Sequence, residues 1–251
     1  MTVEHPHSRH LPALRALWQE AFGDTDAFLD GFFGTAFSAQ RCRVVLQDDA
    51  PVAALYWFDC CHDNLRLAYL YAVATAKEHR GKGLCRMLMR NTHKLLAARG
   101  YSGALLVPSE PSLFAFYETL GYRTACRLDE LSCVAATEKI DLQKIPTSEY
   151  AALRRVYLPT RGVIQEKENL SFLSQTASFY RGKDFLLAAR TEKNEFFGIE
   201  LLGNRLAAPK ILFTLGYAHG SFRTPGESRP FAMYLPLSDA PDPKHFGLAF
   251  D

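Results

Sequence analysis

The chain has 251 residues, which is long for one small α/β domain and comfortable for two. Its formal net charge is +2, with 48% hydrophobic and 22% charged residues, a composition typical of a soluble globular protein. So small a net charge excludes a protein that binds nucleic acid through its overall charge.

The cysteines and the N-terminus predict a cytoplasmic location. The six cysteines form no CxxC pair, and the adjacent Cys60 and Cys61, followed by His62, do not have the spacing of zinc ligands. We expect free thiols in a reducing cytosol and no metal site. The first ten residues have no apolar core, so we expect no secretory signal, and no apolar run approaches the roughly 20 residues that span a membrane.

The first half of the chain predicts helices and strands in an order typical of one mixed sheet covered by helices. Apolar residues at helical spacing, cap residues and β-branched or aromatic runs mark the elements. The predicted helices cover residues 11–22, 26–33, 84–99 and 111–120, and the predicted strands cover residues 42–47, 52–58, 67–76, 103–107 and 122–134.

The second half, beyond about residue 138, predicts a further α+β pattern. Helices are expected over residues 148–157 and 170–180, and strands over 185–190, 196–201, 211–217, 231–235 and 246–250. Residues 223–230, rich in proline and glycine, are expected to form a surface turn; a loop beside a functional cleft is the alternative. This half carries no basic glycine turn like the one in the first half.

A basic glycine turn, Arg80-Gly81-Lys82-Gly83, joins the apolar strand 67–76 to an amphipathic helix. The first N–H groups of a helix lack internal partners and carry partial positive charge, so a strand–glycine–helix junction with two cations suits a diphosphate. The nucleotide P-loop pattern fails here, since Ser or Thr does not follow the lysine, and so does the dinucleotide pattern, since position 86 is arginine. A solvated basic turn without a ligand remains the alternative.

Two motifs carry a resemblance to a known family. Residues 80–85, RGKGLC, resemble the acyl-CoA pyrophosphate loop of the GNAT superfamily of N-acyltransferases, with Cys85 where glycine or alanine is usual. Residues 113–122, LFAFYETLGY, resemble the later helix of that superfamily, although Glu110 stands where its motif begins with asparagine. The resemblance covers roughly residues 1–135.

The resemblance implies a fold and a division into domains. The expected fold is α/β (α+β), with a mixed, mostly antiparallel twisted sheet flanked by helices and a smaller α+β companion domain. Residues 1–137 would form the acyl-CoA-binding catalytic domain. Residues 138–251 would form a degenerate GNAT-like domain without a CoA loop.

The resemblance also implies acetyl-CoA as co-substrate and a set of site residues. The backbone at the end of the central strand would meet the pantetheine arm and the thioester, and the glycine turn would hold the pyrophosphate. Tyr117 would protonate the departing thiolate, since a phenol with a pKa near 10 is protonated at neutral pH; its alternative is a core tyrosine. The cofactor-binding residues are then Val73, Ala74, Thr75, Arg80, Gly81, Lys82, Gly83, Leu84, Cys85 and Arg86.

The base that accepts the proton of the amine has two candidates. One is the carboxylate of Asp251, because the related enhanced-survival aminoglycoside acetyltransferases use a terminal carboxylate in this way; the other is a chain of water molecules.

The predicted function is transfer of an acetyl group from acetyl-CoA to a primary amine of a small molecule or peptide, without metal, nucleic acid or membrane. The alternative is a non-catalytic acyl-CoA-binding regulatory module, and a nucleotide-phosphate hydrolase is disfavoured.

Overall fold

The computed structural model describes residues 1–192 and 195–250, which divide into two compact units. The first unit comprises Met1–Arg123 and Tyr234–Pro241, and the second comprises Thr124–Met233 and the residues from Asp242 onward. Residues 124–137, assigned to the catalytic domain by the sequence analysis, therefore make most of their contacts within the second unit. The division into functional domains stays a prediction. Among the described residues, no helix has the length and apolar character needed to cross a membrane.

The first unit contains a sheet with helices on its faces. Its strands follow the spatial order β1-β2-β3-β4-β5; all neighbours are antiparallel except β4 and β5, which run parallel. In chain order its elements are β1 (Thr2–Glu4), α1 (Leu11–Phe22), α2 (Asp26–Thr35), β2 (Cys42–Gln47), β3 (Ala50–His62), β4 (Leu65–Thr75), α3 (Leu84–Ala98), β5 (Gly103–Leu106) and α4 (Ser112–Glu118).

The register of the strands decides which helices cover which face. Tyr56 of β3 lies opposite Tyr71 of β4, and both rings contact Trp18 of α1, so α1 covers this face. Arg43 of β2 has the opposite parity, and its guanidinium donates to the Asn91 side chain of α3 at 2.7 Å. Because successive side chains of a strand alternate between faces, α1 and α3 lie on opposite faces of this sheet.

The second unit also contains a sheet with helices. Its strands follow the order β12-β6-β11-β10-β9-β8-β7, with β12 belonging to this unit up to Met233. Pairing is antiparallel from β7 to β10 and between β11 and β6, and parallel between β10 and β11. In chain order its elements are β6 (Arg123–Val134), β7 (Gln143–Ile145), α5 (Thr147–Tyr157), α6 (Glu168–Leu173), β8 (Ser178–Arg181), β9 (Phe185–Glu192), β10 (Glu195–Gly203), α7 (Ala208–Leu215), β11 (His219–Pro225) and β12 (Arg229–Pro236). That this unit is a degenerate copy of the first stays a prediction.

A buried ion pair stands in the core of the second unit. Arg154 donates to both carboxylate oxygens of Glu200, at 2.6 and 2.9 Å, and both side chains are almost fully buried. His245 contacts the same carboxylate at 2.9 Å, and Tyr150 donates to it at 3.1 Å. Burial opposes ionisation of Glu200, but Arg154 and His245 outweigh it and keep the pKa of this carboxyl below its ordinary value. The network fixes the C-terminal segment through His245.

The fold class is confirmed: the chain is mixed α/β, with mostly antiparallel pairing and flanking helices. Several elements of the second half were wrongly predicted. Residues 211–217 lie in helix α7 and its end, because Pro209 stands in the first turn of the helix and Gly216 ends it, signals that outweigh the apolar run. The predicted helix 170–180 ends at Leu173, and β8 follows.

Two further corrections concern loops and the chain end. Residues 219–225 and 229–236 form the strands β11 and β12, so the predicted surface turn is confined to the residues between them. Residues 246–250 form no strand; Phe246, Leu248 and Ala249 are instead buried as an irregular segment. An apolar run marks burial in either case and does not by itself distinguish a strand from a buried irregular segment.

Candidate active site

The glycine turn adopts a conformation that only glycine takes easily. Gly81 and Gly83 have φ angles of +75° and +78°, in the left-handed region. A Cβ atom built on either residue would meet no other protein atom within 4 Å. The space above both residues is therefore open, and a side chain at either position would fill it.

The helix α3 begins at this turn, and the backbone N–H groups of its first turn have no acceptor inside the helix. Gly83 is the N-cap, no side chain caps it, and its carbonyl accepts from Met87 at 3.0 Å. The N–H groups of Leu84, Cys85 and Arg86 form the first turn, which has no acceptor within the helix. Such a turn can bind a phosphate group through its N–H groups and the positive end of the helix dipole.

The cations of the turn have different surroundings. Arg80 donates through Nε to the carbonyl of Thr75 at 3.0 Å, which ties the turn to the end of β4 and leaves its terminal NH2 groups without a partner among the described residues. Lys82 is exposed. The Arg86 guanidinium donates instead to the carbonyl and Oγ1 of Thr119, at 3.2 and 3.0 Å. Arg86 thus links α3 to the end of α4.

The end of β4 is irregular on both sides. Ala54 of β3 pairs with Ala74, but Tyr56 pairs with Tyr71, so two β4 residues face one β3 residue and form a β-bulge. Ala72 in this bulge has a φ of +48°, an unusual conformation for a non-glycine residue. No sequence signal marks this position, because alanine does not favour it.

The parallel pairing of β4 with β5 also stops before the bulge. It runs from Leu67 opposite Gly103 to Tyr69 opposite Leu105 and does not continue to the end of β4. Val73 and Thr75 are partly buried and lie beyond this pairing. Within the described parts of the chain, the last residues of β4 therefore have no strand partner on the β5 side and can offer backbone groups to a bound molecule.

Tyr117 lies on α4 close to the start of α3. Its side chain is only 8% exposed, and no hydrogen bond to its hydroxyl is recorded among the described residues. Burial, and to a smaller extent the nearby Cys85, raise the pKa of Tyr117 well above its ordinary value. The phenol is therefore neutral at physiological pH and can serve as a proton donor.

Cys85 occupies the position where the resembling family has glycine or alanine. Burial raises the pKa of its thiol to about 11, partly offset by Arg86, so the thiol is neutral at physiological pH. The side chain is partly buried and lies near Tyr117 and Tyr122. The cysteine is accommodated because its thiol occupies this partly buried position while its backbone N–H stays in the first turn of α3.

The structure brings most of the predicted site residues together in the first unit. The turn 80–86 contacts the end of β4 through Arg80, and Cys85 lies beside Tyr117. Asp251 lies outside the described residues. The bulge at Ala72 and the link between Arg86 and Thr119 were not predicted. Among the described residues, no three histidine, cysteine or acidic side chains are grouped as metal ligands.

Comparison with known proteins identifies the family. Residues 3–125 match the family model described as an acetyltransferase (GNAT) domain. No curated protein matches the chain. Solved structures with the same fold include a GCN5-related N-acetyltransferase from Anabaena variabilis, with a TM-score of 0.73 and 12% identity over 94% of this chain and 73% of that one.

Two further structures are similar over nearly the whole chain. A probable N-acyltransferase from Enterococcus faecalis has a TM-score of 0.71 and 17% identity, over 94% of this chain and 72% of its own. A GCN5-related N-acetyltransferase from Kribbella flavida has a TM-score of 0.70 and 14% identity, over 93% of this chain and 70% of its own. At such identities these similarities establish the fold alone. The family model and the two motifs show that residues 3–125 form a GNAT acetyltransferase domain, which makes the protein an acyltransferase.

Proposed function

We propose that the protein transfers an acetyl group from acetyl-CoA directly to a primary amine. The observation that carries this proposal is the meeting of three features in one unit: an open glycine turn at the start of α3, a bulged and splayed end of β4, and a buried neutral tyrosine on α4. The N-acetyltransferase fold of the similar structures agrees with it. No observation favours the alternative of a non-catalytic module.

Acetyl-CoA would bind through the backbone at both ends of this arrangement. The amides of residues 81–86 would hold the two bridging phosphates, with Arg80 and Lys82 adding positive charge. The backbone of Val73, Ala74 and Thr75 would hold the pantetheine arm. The open space above the two glycines leaves room for a diphosphate to approach these amides, since a Cβ atom there would meet no protein atom within 4 Å.

The chemistry then needs polarisation of the thioester and two proton transfers. A backbone N–H at the bulge of β4 would stabilise the negative charge on the thioester oxygen while the amine attacks the carbonyl carbon. The C–S bond breaks, and Tyr117 donates its hydroxyl proton to the departing thiolate. Because burial keeps Tyr117 neutral, the proton is present when the thiolate forms.

The proton that leaves the amine needs an acceptor, and we keep both candidates. The Asp251 carboxylate is one hypothesis and a water chain is the other.

Deletion of Asp251 alone is the test of these hypotheses. Deleting two residues would also remove Phe250, whose ring packs on Phe172 at 5.3 Å between ring centroids, and could change the stability. Unchanged turnover after this deletion, with the same thermal stability, would remove Asp251 from the mechanism.

Replacing Tyr117 with phenylalanine tests the proposal. We expect kcat to fall about 10²- to 10⁴-fold, the range for a lost general acid, while the Kd of acetyl-CoA stays nearly constant. Release of free thiol measures turnover, and calorimetry measures binding. Tyr180→Phe is the control, because it removes a hydroxyl from a partly buried tyrosine of the second unit and should leave kcat unchanged. Equal activity of Tyr117→Phe and wild type would refute the role of Tyr117.

A further inference from the structure

The face of the sheet that carries Tyr71 presents aromatic rings beside the bulge of β4. Tyr71 directly precedes the bulge and is partly buried. Its ring centroid lies 5.5 Å from that of Trp18, 5.8 Å from Phe58 and 6.2 Å from Phe32. Any molecule that reaches the bulge from this face must therefore pass an aromatic surface.

The same surface extends outward along α1 and α2. Phe22 lies 5.9 Å from Trp18 between ring centroids and is 45% exposed, an unusual exposure for a large apolar residue that contacts a core tryptophan. Phe28 and Phe33, both partly buried, each lie 6.4 Å from Trp18. We call Trp18, Phe22, Phe28, Phe33 and Tyr71 the aromatic cluster.

The opposite face is already used by the proposed cofactor and acid. The Tyr117 ring lies 5.8 Å from that of Tyr122, whose hydroxyl is hydrogen-bonded to His93 of α3, and α3 covers the face opposite to α1. An amine that attacks the acyl carbon at the bulge would therefore approach from the side of the aromatic cluster. This step rests on the proposed function, because it takes the bulge as the place of the thioester.

The charges around the cluster are mixed. Glu20 accepts from the Lys77 amide at 2.8 Å and Asp24 from the Trp18 indole at 2.7 Å, and both carboxylates keep their negative charge because these donors are neutral. Asp30 pairs with Arg15 at 2.7 Å. Charge therefore does not select the acceptor at this surface, and the aromatic rings are the feature that distinguishes one amine from another.

Tyr56 completes the buried side of this surface. It lies opposite Tyr71 in the register and is 3% exposed. Its ring packs 5.1 Å from Trp18 and 6.3 Å from Phe33, measured between centroids. A buried ring therefore supports the aromatic cluster from beneath, and a bound aryl group would meet rings that are already packed in place.

We propose that the acceptor is an arylalkylamine, a primary amine on a short chain that ends in an aromatic ring, and that this ring packs on the aromatic cluster. Aromatic pairs at 4.5–7 Å between centroids contribute beyond the area they bury, which suits an aryl group against Phe22 and Tyr71. The amine then points toward the bulge, where the acyl carbon would lie.

The test compares amines at equal concentration with acetyl-CoA and follows thiol release. We expect kcat/KM for 2-phenylethylamine and tryptamine to exceed that for spermidine and kanamycin by at least tenfold. Preference for spermidine or kanamycin would overturn this inference and leave the proposed function standing. If no amine is acetylated although acetyl-CoA binds, the proposed function fails and this inference fails with it.

Two matched variants add a test that does not depend on the core. Phe22→Ala removes an exposed ring of the cluster, and we expect kcat/KM for 2-phenylethylamine to fall roughly 2- to 12-fold, the value of one lost aromatic contact. Phe213→Ala removes a ring of the second unit that is similarly exposed, at 38%, and should change nothing. Equal values for both variants and wild type would contradict the proposal.

Discussion

Replacing Gly83 with alanine tests the binding of the diphosphate most directly. The residue has a φ of +78°, and an added Cβ atom would meet no protein atom within 4 Å. The folded protein therefore suffers only the backbone strain of a left-handed alanine, about 1–2 kcal/mol. For a chain of this length that corresponds to a Tm lower by roughly 2–8 °C.

The effect on the cofactor should be larger than the effect on folding. The new methyl group would occupy the open space in which we place the phosphates and would displace at least one charge-assisted hydrogen bond. Such a bond contributes about 1.5–3 kcal/mol, so the Kd of acetyl-CoA should rise roughly 10- to 150-fold. Isothermal calorimetry measures the Kd, and thermal denaturation measures the stability.

Gly100 offers a matched control at the other end of the same helix. It has a φ of +76°, and a Cβ atom there also meets nothing within 4 Å. Gly100→Ala should lower the Tm by a similar amount and leave the Kd of acetyl-CoA unchanged. The reasoning is refuted if Gly83→Ala binds acetyl-CoA as wild type does, or if Gly100→Ala weakens binding equally.

Three further predictions follow from side-chain contacts. Thr119→Val removes one hydrogen-bond acceptor of Arg86, and we expect kcat to fall roughly 2- to 12-fold while the KM of acetyl-CoA stays unchanged. A rise in this KM with an unchanged kcat would show that Arg86 binds the cofactor instead. Burial lowers the pKa of His93 from 6.5 to about 4, so the native histidine stays neutral where the unfolded one takes up a proton. Stability should therefore fall by about 3 kcal/mol as the pH drops from 6.5 to 4, and His93→Gln should flatten this dependence in denaturant titrations; an unchanged slope would contradict it. Glu200→Gln leaves the buried Arg154 without its carboxylate, and we expect the free energy of unfolding to fall by about 3–5 kcal/mol, measured by thermal or denaturant unfolding. An unchanged free energy of unfolding would show that the ion pair is dispensable.

The lowered pKa of Glu200 predicts how the stability of the protein depends on pH. A carboxyl whose folded pKa lies below the unfolded value stabilises the protein fully above the unfolded pKa, and this stability is lost as the pH falls toward the folded pKa. The wild type should therefore lose stability in acid below about pH 4.5, its ordinary value, and Glu200→Gln should lose less over the same range.

The first half of the chain was predictable because its signals are local. Gly23 and Gly100 end helices where a left-handed residue is needed, and the turn 80–83 lies between a strand and a helix as the sequence predicts. Asp63 and Asn64 form the tight connection between β3 and β4, as expected of residues that tolerate positive φ. These features depend on neighbours in the sequence.

The second half was less predictable because its segments are apolar throughout. Residues 211–217 fit a buried strand or a helix equally well by hydropathy, and the helix caps at both ends decided the outcome. The segment 246–250 is buried without regular structure, since its contacts come from distant residues such as Phe172 and Gln165. Periodicity cannot register contacts of that kind.

The sequence by itself determined that a basic glycine turn starts an amphipathic helix and that a tyrosine follows on a later helix, because motif spacing and helix caps are local properties. Only the tertiary structure decided that β4 bulges at Ala72, that it parts from β5 beyond Tyr69, and that Arg86 holds Thr119. Strand pairing and long-range hydrogen bonds join residues far apart in the chain, so their geometry follows from packing and leaves no mark in the order of the residues.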